Sequence, residues 1–374
     1  MSQAEASTLG VEEEYQVIDP ATRELSSQAS QIIQAKATPG DEENPIQPEM
    51  HRCQVEIATD VCQTLADVRA ALTQARRNVI EAAKENNSVI IAAGTHPFSS
   101  WRDQQVTDKA RYYELADTLK QLIRELIIYG CHVHVGLADR EAAVQVVNRA
   151  RLHLPVLLAL SANSPYWMGA ATGYDSYRME QWCRLPAAGP PPLFEDYDEH
   201  EATIEQLVNY EIVDEPTKIY WDIRLSKRFP TIEFRVADVC ATVDEAVLQA
   251  GLCRAIAQTA YSDAQSNKPY PKVRTSLLRA AMWQAARHGL SGHLIDFDAQ
   301  QPRPAATVVN ALLQSLRPAL EQNGDWEEVS TLLNNVLQNG NAAQRQRQVY
   351  AQTNSYESVV DFLIQETEKG CTVA

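Results

Sequence analysis

The sequence contains no long apolar run, no basic tract and no leader-like start. Its longest apolar stretch lies near residues 154–160, and it is far too short to cross a bilayer, which takes about 20 apolar residues. Lys and Arg number 33 against 49 Asp and Glu, a formal net charge of −16, so the positive surface that nucleic acids bind is missing. The start, MSQAEASTLG, lacks the basic and apolar regions of a signal peptide. These absences predict a cytoplasmic protein with neither membrane nor nucleic-acid partners.

Several signatures of catalysis are also missing. There is no CxxC or HExxH pattern, which argues against zinc. The seven cysteines are scattered and odd in number, as expected of buried thiols in a reducing compartment. No phosphate-binding glycine loop and no GxSxG elbow is present. An anionic nucleotide would meet a repulsive overall field, so its site must be locally positive or loaded with metal.

The first notable feature is the segment LGVEEEYQVID, residues 9–19, in which three consecutive glutamates interrupt a strand-like pattern. Alternate side chains of a strand point to opposite faces. Glu12 and Glu14 therefore share one face, and Glu13 lies on the other. We expect Glu13 to make a structural contact on the apolar side.

Four later segments show the same alternation between an apolar and a charged face: residues 54–58, 131–137, 219–226 and 231–237. Their charged faces carry Glu56, His132, His134, Asp222, Arg224, Glu233 and Arg235. Such a set predicts an α+β fold, with helices on the apolar face of an antiparallel sheet and the polar face open.

Two interpretations of the polar face compete. It could simply be solvated. However, two like charges about 4 Å apart repel by roughly 4 kcal/mol at an effective dielectric near 20, so clustered glutamates favour cations between them. Carboxylates with a single histidine suit Mg²⁺ or Mn²⁺, and Arg224 and Arg235 could grip phosphate or carboxylate through two hydrogen bonds.

Helices are predicted from apolar periodicity and capping residues. They cover residues 64–86, 108–127, 139–161 and 242–265, and nearly everything after 273, with breaks at GLSGH, QQPRP and QNGDW. Long loops are predicted at 38–48 and 185–202. The second loop is rich in proline and acidic residues, and we interpret it as a lid over an active site.

Seven segments, in this order, resemble the type 2 glutamate–cysteine ligase family, the bacterial ATP-dependent carboxylate–amine ligases. They are LGVEEEYQVID, PEMHRCQVEIATDVC, GTHPFSSW, GCHVHVG, SANSPYWMGAATGYDSYR, WDIRLSKRFPTIEFRVADVCATVDEAV and RTSLLRAAMWQAARHGLSGHLID. The resemblance extends from about residue 8 to 296.

The resemblance implies one catalytic domain over residues 1–374, helical from about 273, with a glutamine-synthetase-like curved antiparallel sheet. The implied metal ligands are Glu12, Glu14, Glu49, Glu56, His132 and Glu233. Glu49 enters this set through the resemblance alone. Arg235, with Arg224, is the catalytic candidate. Arg178 in TGYDSYR is a candidate for the α-carboxylate of an amino-acid substrate, and His134 is a second substrate-binding candidate.

The implied reaction has two steps. The γ-carboxylate of L-glutamate attacks the γ-phosphate of ATP to give an acyl phosphate and ADP, and an amine then displaces phosphate. With L-cysteine as the amine, this would be a step of glutathione biosynthesis, although another amino acid or amine fits equally well. A small-molecule kinase on the same sheet and a non-catalytic metabolite- or metal-binding protein are the alternatives. A homo-oligomer is also compatible with the sequence.

Overall fold

The structure is a computed structural model that describes residues 8–36 and 46–371. Its strands share antiparallel pairing throughout. They are β1 (Leu9–Ile18), β2 (Ile46–Pro48), β3 (Gln54–Ala58), β4 (Val89–Ile91), β5 (Gly130–Gly136), β6 (Tyr166–Trp167), β7 (Ala170–Ala171), β8 (Ile223–Leu225), β9 (Thr231–Asp238), β10 (His293–Asp296) and β11 (Gln301–Pro304).

One seven-stranded sheet dominates. Its strand order is β2-β3-β1-β5-β9-β8, with β4 paired to the end of β1. The pairs β6-β7 and β10-β11 form small separate hairpins. Strand β1 lies near the middle of the sheet and pairs with three neighbours, so its register determines which side chains face which way.

Helices lie on both faces of this sheet. They are α1 (Ala29–Ala35), α2 (Leu65–Glu85), α3 (Ala110–Leu119), α4 (Gln121–Arg124), α5 (Arg140–Ala150), α6 (Leu154–Ser161), α7 (Tyr177–Trp182), α8 (Tyr197–Asn209), α9 (Val243–Gln265), α10 (Thr275–His288), α11 (Ala305–Asn323), α12 (Trp326–Asn339), α13 (Ala342–Thr353) and α14 (Tyr356–Glu368).

Helix α9 is the centre of the helical layer. It packs against α2, α5, α11, α12 and β5, and it is buried on most sides of its length. Gly251 permits the crossing, since a Cβ there would lie 2.6 Å from Val329 and 3.1 Å from Leu65. Capping boxes begin α2 at Thr64 and α9 at Thr242, as the sequence predicts. The expected α+β arrangement is confirmed.

Glu13 is buried within this apolar layer. It forms an ion pair with Arg76 of α2, in which Nε and Nη2 donate over 3.0 and 2.5 Å, and both side chains are fully buried. The Tyr15 hydroxyl also donates to Glu13, and Arg76 donates to the carbonyl oxygens of Cys240 and Ala241. The expectation that Glu13 makes a structural contact is confirmed.

The predicted strand over 219–226 is wrong over most of its length, because only Ile223–Leu225 is strand. The amide groups of Tyr220 and Asp222 instead donate to the carbonyl oxygens of Ala187 and Gly189. This segment is therefore engaged by a loop before it can join the sheet.

Two predicted helices are divided. Lys120 adopts φ 52°, a left-handed conformation that a right-handed helix cannot contain, and it separates α3 from α4. Pro155 lies at the start of α6. It cannot donate a helical hydrogen bond, and a short 3₁₀ turn over Arg151–His153 separates α5 from α6.

Three further boundaries also differ from expectation. Residues 38–45 of the predicted loop at 38–48 lie outside the described residues. Residues 46–48 are not loop but strand β2, in which Ile46 pairs with Ile57. The loop at 185–202 ends early, because Asp196 caps α8. After residue 288, where the sequence predicts helices with breaks, β10 and β11 form a hairpin. Each strand has only four residues, which is too short for alternation to predict it.

Two further expectations concern the chain as a whole. All seven cysteines are free, as predicted. Within residues 8–36 and 46–371, no helix is both long enough and apolar enough to cross a membrane. The single-domain organisation stays a prediction.

We expect Glu13→Gln to destabilise the protein by about 3–5 kcal/mol, because it leaves the Arg76 charge buried without a counter-charge. Urea unfolding measures this loss. Glu14→Gln, the neighbouring change on the opposite face of the same strand, is the matched control and should not destabilise. Equal losses in the two variants would contradict the role assigned to the ion pair.

Candidate active site

The polar side chains of the sheet lie in rows that cross the strands. Glu14 of β1 is directly opposite Glu56 of β3, and Glu12 is opposite His132 of β5. A further row joins His134 of β5 to Glu233 of β9, which in turn is opposite Arg224 of β8. Since directly opposed residues of paired strands share a face, the backbone ladder itself brings these groups together.

Glu12 is held between two histidines. Its Oε2 lies 3.1 Å from Nδ1 of His132, and its Oε1 lies 3.2 Å from Nε2 of His134. Nδ1 of His134 lies 2.9 Å from the Thr231 hydroxyl, which orients the ring. Burial alone would raise the pKa of Glu12, but the two histidines hold that pKa well below its usual range.

Glu14 and Glu56 experience the opposite environment. Burial, reinforced by the charge of Glu49, raises the pKa of Glu14 to about 7. Burial, together with Glu49 and Glu12, raises the pKa of Glu56 well above its ordinary value. Glu49 lies on the same cavity, where its carboxylate accepts a hydrogen bond from its own neighbour, Met50. These glutamates repel one another.

Two groups of potential metal ligands overlap at His132. One consists of Glu12, His132 and Glu233, and the other of Glu14, Glu56 and His132; in each, ligand atoms lie within 4.8 Å of one another. Burial and the nearby Arg235 lower the pKa of His132 to about 4, so the ring is neutral at pH 7. Its Nε2 is buried without a hydrogen-bond partner among the described residues. A neutral imidazole nitrogen among repelling carboxylates is what a divalent cation requires.

The arginines form the second half of the site. Arg224 donates to Glu233 over 2.8 and 3.3 Å, and Nη1 of Arg235 donates to the same carboxylate. Burial would raise the pKa of Glu233, but Arg235 and Arg224 keep it below its ordinary value. One carboxylate thus fixes two guanidinium groups beside the acidic cluster.

Arg178 lies in the first turn of α7, buried, and lines the same cavity. Its Nη2 is 3.4 Å from the Arg235 carbonyl oxygen, while Nε and Nη1 have no partner among the described residues. Gly130 makes room for it, since a Cβ there would lie 2.3 Å from Nη2. The geometry brings Arg178 to the other candidate residues, with donor atoms left for a ligand.

Asp238 positions Arg178, and the sequence analysis missed it. Its buried carboxylate accepts hydrogen bonds from the hydroxyls of Ser164 and Ser176 and from the Asn163 amide. Ser176 caps α7, and the Ser164 hydroxyl accepts from the Arg178 amide. Asp238 therefore anchors the turn from which Arg178 enters the cavity.

A bulge in β9 explains why alternation overlooked Asp238. Opposite β5, the register shifts between Cys131 and Val133, where β9 has one extra residue between Phe234 and Ala237. The shift places Asp238 opposite Gly130, on the side of the sheet that also carries Glu233. Strict alternation would have assigned it to the apolar face.

These groups surround one cavity of about 450 Å³. All of the predicted site residues lie on its wall: Glu12, Glu14, Glu49, Glu56, His132, His134, Arg178, Arg224, Glu233 and Arg235. The sequence analysis did not identify several others, among them Arg111, Tyr112, Trp182, Tyr220, Lys227 and Arg228. These come from helices, loops and turns, where no alternation marks a direction.

The proline-rich segment is partly buried. Gly189, Pro190 and Pro191 are buried, and the Gly189 carbonyl oxygen accepts from the Asp222 amide over 2.9 Å. Asn148 holds Phe194 through two hydrogen bonds. These contacts hold the segment against the rest of the chain, and its role as a lid stays a prediction.

Two solved structures share the fold of this chain. The glutamate–cysteine ligase of Francisella tularensis, solved with AMP, has a TM-score of 0.73 at 13% identity, covering 100% of this chain and 91% of that one. A bifunctional glutathione synthetase of Pasteurella multocida has a TM-score of 0.74 at 15% identity, covering 97% of this chain and 52% of that one. The glutamine-synthetase-like fold predicted from the sequence is confirmed.

Sequence comparison identifies the family. Glutamate-cysteine ligase family 2 matches residues 8–362. A Rhodopirellula baltica protein provisionally named glutamate–cysteine ligase 2 is 41% identical over 370 residues, 98% of each chain. A Chloroflexus aurantiacus protein of the same provisional name is 39% identical, over 98% of this chain and 93% of its own. The chain belongs to glutamate-cysteine ligase family 2 and is an ATP-dependent ligase, as the resemblance implied.

We expect Glu14→Gln to stabilise the metal-free protein, and to do so increasingly as the pH rises. Because the folded-state pKa of Glu14 is raised to about 7, the stability that comes from its protonation is complete below the ordinary carboxyl pKa. That stability is lost as the pH rises toward 7. The variant should gain on the order of 2 kcal/mol over wild type at pH 8 and little at pH 4. Urea unfolding with EDTA measures the difference.

The control for this prediction is Glu205→Gln. Glu205 is exposed and makes no ion pair within the described chain, so its substitution should not change the pH dependence. A gap between Glu14→Gln and wild type that stays constant from pH 4 to pH 8 would show that the glutamate cluster does not repel itself as inferred.

Proposed function

We propose that the protein joins the γ-carboxylate of L-glutamate to an amine, either L-cysteine or another amino acid or amine. The reaction uses ATP and Mg²⁺ or Mn²⁺, passes through an acyl phosphate, and releases ADP and phosphate. The observation that carries the proposal is the pair of overlapping ligand groups at His132 beside one buried arginine, Arg178, and two half-buried ones, Arg224 and Arg235.

The chemistry of the donor set supports a divalent cation. Glu14 and Glu56 have raised pKa values, and His132 has an unpartnered nitrogen. The residues that would hold metal are Glu12, Glu14, Glu49, Glu56, His132 and Glu233. Bound there, the metal would neutralise charge on the phosphate oxygens of ATP.

The arginines supply fixed positive charge to the transferring group. Arg224 and Arg235 are held by Glu233, and the Arg235 guanidinium lies 5.3 Å from the ring centroid of Trp182. Fixed charges of this kind stabilise a developing negative charge without first having to reorganise. ATP needs this local positive charge, because the protein as a whole carries a net charge of −16 and would otherwise repel it.

Arg178 is proposed to bind the α-carboxylate of glutamate. Its Nε and Nη1 are buried and have no partner among the described residues, so each could donate a charge-assisted hydrogen bond to a carboxylate. His134 is proposed to lie near the bound substrate, because it borders the same cavity and is anchored through Thr231.

Hydroxylamine tests the acyl phosphate directly, since it is a small, strong nucleophile that can replace a bulky natural amine. Incubation with L-glutamate, ATP, Mg²⁺ and hydroxylamine should give γ-glutamyl hydroxamate and ADP in equal amounts. EDTA, or the variant Glu56→Gln, should abolish both products. ATP consumption without hydroxamate, for glutamate and for other carboxylates, would instead favour the kinase alternative.

Substitution of Arg178 by Lys keeps the charge and loses the planar fork. We expect the KM for glutamate to rise about tenfold or more, as for loss of a charged hydrogen bond, with the KM for ATP unchanged. Arg184→Lys is the matched control, because Arg184 lies two residues beyond α7 and pairs with Glu125 instead. An unchanged KM for glutamate in Arg178→Lys would remove Arg178 from the substrate site.

A further inference from the structure

A second cluster of positive charge lies outside the catalytic cavity, where helix α10 begins. Its central residue is Arg151, in the 3₁₀ turn that joins α5 to α6. Arg151 is fully buried. Nη2 donates to the hydroxyl of Thr275, the first residue of α10, over 3.1 Å, so the guanidinium points at the start of that helix.

The remaining donors of Arg151 are unused. Nε and Nη1 are buried without a partner, and Arg151 forms no ion pair with any described carboxylate. Burial lowers its pKa to about 10. A buried cation without a counter-charge is costly, by several kcal/mol. Glu13–Arg76 and Arg254–Asp325 show how two other buried arginines are neutralised.

The start of α10 offers further donors. No side chain caps this helix, and its first turn contains no acidic residue. The amide groups of Thr275 and Ser276 have no acceptor in residues 8–36 and 46–371, whereas Leu277 and Leu278 donate to the Arg274 carbonyl oxygen. The positive end of a helix dipole with free amide groups favours an anion.

The loop that leads into α10 adds to the positive charge. Lys272 and Arg274 are exposed and form no ion pair with a described residue. Arg149 lies 4.4 Å from the ring centroid of Tyr270 and donates to the Lys268 carbonyl oxygen over 3.5 Å, which holds this loop against the end of α5. Only Lys268 has an acidic partner, Asp263.

We propose that Arg151 and the first turn of α10 bind a phosphate-class oxyanion at a site separate from the catalytic cavity. The anion would accept hydrogen bonds from one of the unused Arg151 nitrogens and from the amides of Thr275 and Ser276. Lys272 and Arg274 would attract it to the site. None of these residues lines the catalytic cavity. The chemistry fits inorganic phosphate or the phosphoryl group of a small phosphate ester.

The test uses the whole protein, without nucleotide or divalent metal, and titrates sodium phosphate at constant ionic strength. Wild type should show a saturable rise in Tm and one calorimetric binding event that depends on Arg151. Arg151→Met should weaken that binding by at least about tenfold, as for lost charge-assisted hydrogen bonds. In phosphate-free buffer Arg151→Met should have a Tm equal to or above wild type, because the uncompensated charge is gone. A wild-type phosphate response in this variant would overturn the proposal.

Rim variants keep the proposal testable if Arg151→Met does not fold. Arg274→Gln should weaken phosphate binding a few-fold, and Arg102→Gln should not. Arg102 is a matched control because it is also exposed and has no acidic partner, its guanidinium resting on the Trp101 ring. Equal binding in the two variants would overturn the proposal.

Glycerol phosphate distinguishes the two sources of the oxyanion. Binding of the ester as tight as that of phosphate, and equally dependent on Arg151, would identify a site open to phosphorylated metabolites. Binding of phosphate alone would identify a site for the free ion. Binding of neither would refute the site.

Discussion

The buried ion pair of Glu13 and Arg76 is the constraint on which the site depends. It lies on the apolar side of β1, between the two glutamates that face the cavity. A slip of one residue would carry Glu12 and Glu14 into the core and Glu13 into the cavity. Arg76 is a single cation and can pair with only one carboxylate, so that slip would bury a second carboxylate without a counter-charge. An interaction on the inner face thus secures the arrangement of the polar one.

Some of the charged side chains in the cavity are also stabilised by groups of opposite charge or by hydrogen bonds. Glu233 neutralises Arg224 and Arg235, and two histidines stabilise the charge of Glu12. Glu14 and Glu56 receive less compensation, and their pKa values rise for that reason. The site is therefore divided into a balanced half around Glu233 and a self-repelling half around Glu56. The self-repelling half is where the protein leaves room for positive charge from outside.

The sequence could predict whatever depends on a local period. Alternation identified the faces of β1, β3, β5 and β9, and capping boxes marked the starts of α2 and α9. Prediction from the sequence failed where tertiary contacts determine the structure. The amides of Tyr220 and Asp222 donate to a loop, and no sequence periodicity predicts this contact. A single extra residue in β9 moves Asp238 to the other face of the sheet. Arg178 could be named from its polar, aromatic segment. Its burial could not, because that depends on Gly130 and Asp238, which are distant in sequence.

His132 belongs to both groups of potential ligands, and this has a consequence for any ions that bind there. A residue common to two sites cannot be oriented for one without affecting the other, and a charge at one site changes the potential at its neighbour. The two occupancies are therefore linked, with a coupling free energy that acts equally in both directions. The imidazole common to both groups would thus make the affinity for one ion depend on whether the other is bound.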